Sequence, residues 1–116
     1  MLFVCYPKCS TCGKARAWLE NNGLEFTERD IKTENPTADE LREWHGKSGL
    51  PWKRFFNTSG QLYRGMGLSG KVDSMGEDEI VSLLASDGML VKRPILVTDS
   101  TVLVGFREKD WTAALL

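Results

Sequence analysis

The chain has 116 residues, 41% of them hydrophobic and 27% charged, with a formal net charge of −1 and a pI near 5.8. That length suits one domain over residues 1–116 built around a single core, and the composition excludes a disordered chain. The slightly acidic balance gives no electrostatic case for direct nucleic-acid binding. No apolar run approaches the roughly 20 residues of a membrane span, and "MLFVCYPK" has no basic leader, so a cytoplasmic protein without a membrane partner is expected.

In chain order, "LFVCY" (2–6) is a continuous apolar run that ends at Pro7, as expected of a strand covered on both faces. Ser10 or Thr11 can cap a helix that follows, with Cys12, Ala15 and Leu19 on one face, Trp18 beside them and Gly23 as the stop. "EFTERDI" (25–31) reads as a second strand, and strand–helix–strand favours a parallel unit. A helical subregion is expected over about 35–88. It opens with a Thr37/Glu40 capping box and a helix carrying Ala38, Leu41 and His45 on one face, flanked by Trp44, with Trp44 and His45 expected as core and helix surface rather than a site. A short helix from Pro51, a turn at "NTSG" (57–60) and a Gly-rich loop come next. A second capping box, Ser74/Glu77, starts a helix with Ile80, Leu83 and Leu84 inward, stopped at Asp87-Gly88.

"RPILVT" (93–98) and "TVLVGF" (101–106) flank Asp99-Ser100 as an antiparallel hairpin, and a last helix carries Trp111, Ala114 and Leu115. The order β-α-β, helices, β-β-α predicts an α/β protein with a thioredoxin-like, glutaredoxin-like fold. Its mixed four-stranded sheet would have an enlarged helical insertion between strands 2 and 3.

All three cysteines, Cys5, Cys9 and Cys12, fall within eight residues. Structural zinc needs four ligands, and the other candidates are Cys5 and the single histidine, His45, on separate elements, so no metal is expected. A redox pair has a local physical basis. Cys9 lies where a strand gives way to a helix, so backbone N–H groups and the positive helix end favour its thiolate. Cys12 is one turn further, within disulfide reach, and suits a resolving thiol. The bland alternative, two small core residues, remains open; for Cys5, a buried strand position is expected. Pro94 lacks a ladder donor and should mark an edge, a first strand residue or a cis turn. Arg93 supplies a cation that can lower the Cys9 pKa or hold an anion.

"YPKCSTCGKARAWLE", "FFNTSGQLYR", "SDGMLVKRPILV" and "VGFREKDW" together span nearly the whole chain. Through them it resembles the arsenate reductase (ArsC)/Spx-like family of thioredoxin-fold proteins. The resemblance implies an arsenate reductase or related thiol-dependent oxidoreductase, with Cys9 as nucleophile and Cys12, Arg93, Lys53, Arg107 and Pro94 around it. It implies a small oxyanion or thiol substrate, no bound cofactor, and glutathione, glutaredoxin or thioredoxin as reductant. Three positions depart from the arsenate enzymes: Lys53 replaces an arginine, Cys5 a histidine and Gly13 an arginine. The C-x-x-C pair is instead typical of Spx-type redox-sensing transcription regulators, which implies the RNA polymerase α subunit as an alternative partner.

Overall fold

A computed structural model describes all 116 residues. Strands β1 (Leu2–Cys5), β2 (Thr27–Asp30), β3 (Ile95–Val97) and β4 (Val102–Val104) form one sheet in the order β2-β1-β3-β4. β1 pairs parallel with β2 and antiparallel with β3, and β3 pairs antiparallel with β4. This is the thioredoxin-like, mixed four-stranded arrangement expected from the element order. The helices are α1 (Ser10–Asn21), α2 (Ala38–Ser48), α3 (Gln61–Gly65), α4 (Glu77–Ser86) and α5 (Glu108–Leu115). Short 3₁₀ turns at Trp52–Phe55, Leu68–Gly70, Val72–Ser74 and Gly88–Leu90 complete the insertion. No helix is long and apolar enough to cross a membrane.

Alternation along the central strands divides the core into two layers. Phe3, Cys5 and Leu96 face α1 and α5, where they pack with Cys12, Ala15, Leu19 and Trp111. Val4, Ile95, Val102 and Val104 face the helical insertion, against Leu41, Trp44, Phe55 and Leu84. The apolar β1 run is therefore buried on both faces, as its composition predicts. β2 is an edge strand and reads Thr-Glu-Arg-Asp, charges that discourage pairing with another chain.

Helix ends follow local chemistry where nothing competes. At the end of α1, Leu24 N–H donates to Leu19 C=O and Gly23 N–H to Glu20 C=O, with Gly23 at φ 66°. The Thr37/Glu40 capping box forms as predicted, and Gly49, at φ 68°, ends α2. On α2 the buried residues are Leu41 and the flanking Trp44, while His45 sits half-exposed on the helix surface, stacked on Trp52 with ring centroids 3.8 Å apart. Two expectations are corrected. The Ser74/Glu77 box does not form: Ser74 Oγ donates to Lys71 C=O inside a 3₁₀ turn, and Gly76 caps α4. On α5 only Trp111 is buried, and Ala114 faces outward.

Glu40 joins the capping box to the sheet. Its carboxylate accepts from Arg29 Nη1 at 2.6 Å and Nη2 at 2.9 Å, and Arg29 also lies over the Trp44 ring. Both side chains are less than a third exposed. The Arg29 hydrogen bonds, with the Thr37 N–H, outweigh burial and hold the Glu40 carboxyl at about 2. This contribution is complete above the ordinary carboxylate range, about 4.3, and is lost as pH falls through the folded value. Glu40→Ala should cost about 2 kcal/mol at pH 7 in urea unfolding, with a smaller difference near pH 2.

Candidate functional site

The site is assembled at the β1–α1 junction. After β1 the chain turns at Pro7-Lys8, and Cys9 N–H donates to Tyr6 C=O at 2.9 Å. That bond starts α1 one residue earlier than a Ser10 cap, and two earlier than a Thr11 cap, would allow, and Cys9 itself is the N-cap. The thiol makes no side-chain capping bond. Burial raises its pKa and is the largest single influence. The N–H groups of Cys12 and Thr11, the Cys12 thiol and Arg93 nevertheless all favour the thiolate, and the net result lies below the ordinary thiol value.

Cys12 is opposite in character. It is fully buried. Burial pushes its pKa up to about 12, against a hydrogen bond from Tyr6 N–H at 3.3 Å and with the neighbouring Cys9 charge adding to the rise. One sulfur is thus accessible and ionisable, while its neighbour keeps its proton. Cys5 is also fully buried, and burial raises it to about 11 despite an Arg16 Nη2 donor at 3.6 Å. It packs in the core layer behind the pair, the position expected of it. His45 is stacked on Trp52, and no three His, Cys, Asp or Glu side chains gather as a ligand set.

Cys9 opens into a cavity of about 500 Å³ that Arg93 also lines. Arg93 follows the 3₁₀ turn Gly88–Leu90 and precedes the cis Arg93–Pro94 peptide bond. Its guanidinium lies 5.3 Å from the Tyr6 ring centroid, donates to Met89 C=O at 3.4 Å and forms no ion pair with any carboxylate. Pro94, expected to shape the substrate groove, is buried at the entry to β3 and does not line this cavity. Arg93→Gln removes a cation from Cys9, so the Cys9 pKa should rise, and alkylation by iodoacetamide near pH 6 should slow roughly fivefold. Thiolate absorbance against pH checks the direction.

The remaining sequence candidates lie elsewhere. Lys53 is exposed on the 3₁₀ turn Trp52–Phe55 and does not line the cavity. Arg107 lines an adjoining cavity of about 320 Å³ with Arg54 and Lys92. Two cavity residues escape sequence reasoning: Lys92 and Asn57, the single buried residue of polar type. A long-range pairing places both. Phe56 bridges Val91, Asn57 N–H donates to Leu90 C=O and Lys92 N–H to Phe55 C=O, each at 2.8 Å. Nothing periodic in either segment announces that contact. The turn signal "NTSG" was the available clue: Gly60 lies so close to Asn57 that a Cβ there would be 2.6 Å from its amide nitrogen.

Residues 5–114 match the ArsC family. The chain belongs to that family. It is 50% identical to the uncharacterized protein YusI of Bacillus subtilis, over 96% of this chain and 94% of that one. It is 28% identical to the global transcriptional regulator Spx of Staphylococcus epidermidis, over 90% of this chain and 78% of Spx. Among solved structures, an ArsC family related protein from Bacteroides fragilis is 52% identical with a TM-score of 0.94, over 97% and 94% of the two chains. A possible arsenate reductase from Streptococcus mutans is 46% identical with a TM-score of 0.87, over 96% of each. This ArsC-family chain thus has both reductase-like and regulator relatives.

Proposed function

We propose that this ArsC-family chain is a thiol–disulfide oxidoreductase in which Cys9 is the nucleophile and Cys12 the resolving thiol. The observation that carries the reading is the asymmetry of the pair: an accessible, acidified Cys9 at the helix start beside a buried Cys12 that holds its proton. Cys9 thiolate attacks one sulfur of an oxidised thiol, breaking its S–S bond and expelling the other half as a thiolate. Cys12 then loses its proton and attacks the Cys9 sulfur, releasing the second thiol. The substrate disulfide gains two electrons and the Cys9–Cys12 pair loses them. A dithiol donor of the thioredoxin or glutaredoxin class, or glutathione, restores the pair. Arg93 supports the thiolate and the incoming anion. Arsenate is the oxyanion alternative at the same nucleophile.

The likeness to the transcriptional regulator Spx and this chain's own C-x-x-C spacing favour a second reading, a redox switch whose disulfide reshapes a surface for the RNA polymerase α subunit. Steady turnover of a glutathione mixed disulfide or arsenate with a thiol donor is expected. No turnover with either, combined with oxidation-dependent capture of polymerase α, would overturn the enzyme reading in favour of the switch.

A further inference from the structure

Tyr6, the residue that follows β1, meets each of the three groups that the redox chemistry uses. Its N–H donates to Cys12 Sγ at 3.3 Å, and its C=O accepts from Cys9 N–H at 2.9 Å. Strand alternation puts its ring on the same side as Val4, against the core layer of the helical insertion. There the ring centroid lies 5.3 Å from the Arg93 guanidinium.

Two other arginines lie over rings, Arg16 over Phe3 and Arg29 over Trp44. Each of those is also gripped by both oxygens of a carboxylate, Glu28 and Glu40 respectively. Arg93 has no such partner. Beyond the ring it makes one long bond, from Nη1 to Met89 C=O at 3.4 Å. The difference has a physical consequence. A carboxylate would fix the guanidinium but cancel its charge beside Cys9 and repel the thiolate. An aromatic face fixes a cation without bringing an opposite charge. With the ring removed, an arginine held by one long bond regains rotamer freedom and spends less time at the cavity.

We propose that Tyr6 is a positioning residue of the redox site: its ring holds the Arg93 guanidinium at the Cys9 cavity with its charge intact, while its peptide groups fix the two cysteines. This rests on the thiol–disulfide reading, in which Arg93 supports the Cys9 thiolate, and Tyr6 acts through Arg93 rather than on substrate. Any residue except proline can supply the two peptide contacts. Only an aromatic side chain can supply the ring face, so substitution at Tyr6 separates the two roles.

The test is a double-mutant cycle on the whole chain, read as the rate of Cys9 alkylation by iodoacetamide near pH 6 and followed by intact mass. Tyr6→Leu keeps apolar packing and removes the ring face; it should slow alkylation about threefold. Tyr6→Met repeats the substitution with an unbranched chain should Tyr6→Leu not fold. Tyr6→Phe restores the ring face and should recover most of the parent rate. In the Arg93→Gln background, Tyr6→Leu should cost little more, because the cation through which it acts is gone. A packing defect would instead slow both backgrounds by the same factor. Equal rates in parent and Tyr6→Leu, a full Tyr6→Leu loss in the Arg93→Gln background, or a Tyr6→Phe loss as large as that of Tyr6→Leu overturns the positioning role. Turnover of a glutathione mixed disulfide by the parent is measured separately, so each of those results leaves the thiol–disulfide reading standing, and absence of that turnover counts against that reading alone.

Discussion

Cys9→Ser should lose thiol-dependent turnover by about 10³-fold or more, while Cys12→Ser should retain the first step and accumulate a mixed disulfide on Cys9. The two sulfurs are three residues apart on one helix, so proximity alone would not separate their roles. Their environments do. Cys9 faces the cavity, and its thiolate is favoured by the N–H groups of Cys12 and Thr11 and by Arg93, together outweighing burial. Cys12 is sealed in the core layer, where burial lifts it to about 12. A serine at Cys9 has no accessible anion at neutral pH and cannot form the disulfide. A serine at Cys12 keeps the helix and removes only the second attack. The sign of the pH dependence follows: because the Cys9 value is lowered, the acid limb of the alkylation profile should lie below that of a free cysteine peptide. A Cys12→Ser variant that turns over normally with thioredoxin as sole reductant would remove Cys12 from its resolving role.

Gly88→Ala should be the most damaging small substitution outside the site, costing about 3 kcal/mol or more, roughly 10 °C in melting temperature. A Cβ at Gly88 would overlap the carbonyl oxygen of Ile31, lie 2.8 Å from its carbon and 3.2 Å from the Asn35 Cβ. None of these is the free end of a flexible chain. Ile31 is tied to β1 through its N–H bond to Cys5 C=O at 2.8 Å, and Asn35 Nδ2 donates to Ala85 C=O at 2.6 Å. Relief would therefore have to shift the end of β2 or the exit from α4, and with it the turn that delivers Arg93. Gly46→Ala is the internal control. It lies within α2, with nothing within 4 Å of its added methyl, and should stabilise by about 0.5–1 kcal/mol. Thermal unfolding of the pair checks both, and a Gly88→Ala melting temperature within 2 °C of the parent would contradict the close approach.

Those two sites also mark how much was legible beforehand. The C-x-x-C at a strand–helix junction placed Cys9 at the helix start and Cys12 one turn on, and the apolar β1 run placed Cys5 in the core, because helix starts, one-turn spacing and strand burial are local properties. The Thr37/Glu40 box was legible for the same reason. The similar Ser74/Glu77 pattern misled because the preceding residues form a 3₁₀ turn, which engages Ser74 with Lys71 instead. Cys9 displaced the expected Ser10 or Thr11 cap because the Tyr6–Cys9 turn closes first. Asp87-Gly88 read correctly as a helix stop, but the reason for glycine there is the Ile31 carbonyl, a neighbour more than fifty residues away in sequence.

The sequence by itself determined the element order, the two-faced burial of β1 and the identity of the sulfur pair, since each follows from periodicity, capping or short-range geometry. Only the tertiary structure decided which cations accompany that pair. The bridge between Phe56 and Val91 brings Lys92 and Asn57 to the Cys9 cavity and leaves Lys53 outside, while Arg54 and Arg107 line a neighbouring cavity. Such contacts are set by how the helical insertion packs back onto the sheet, a long-range balance of burial and hydrogen bonding that no local pattern records.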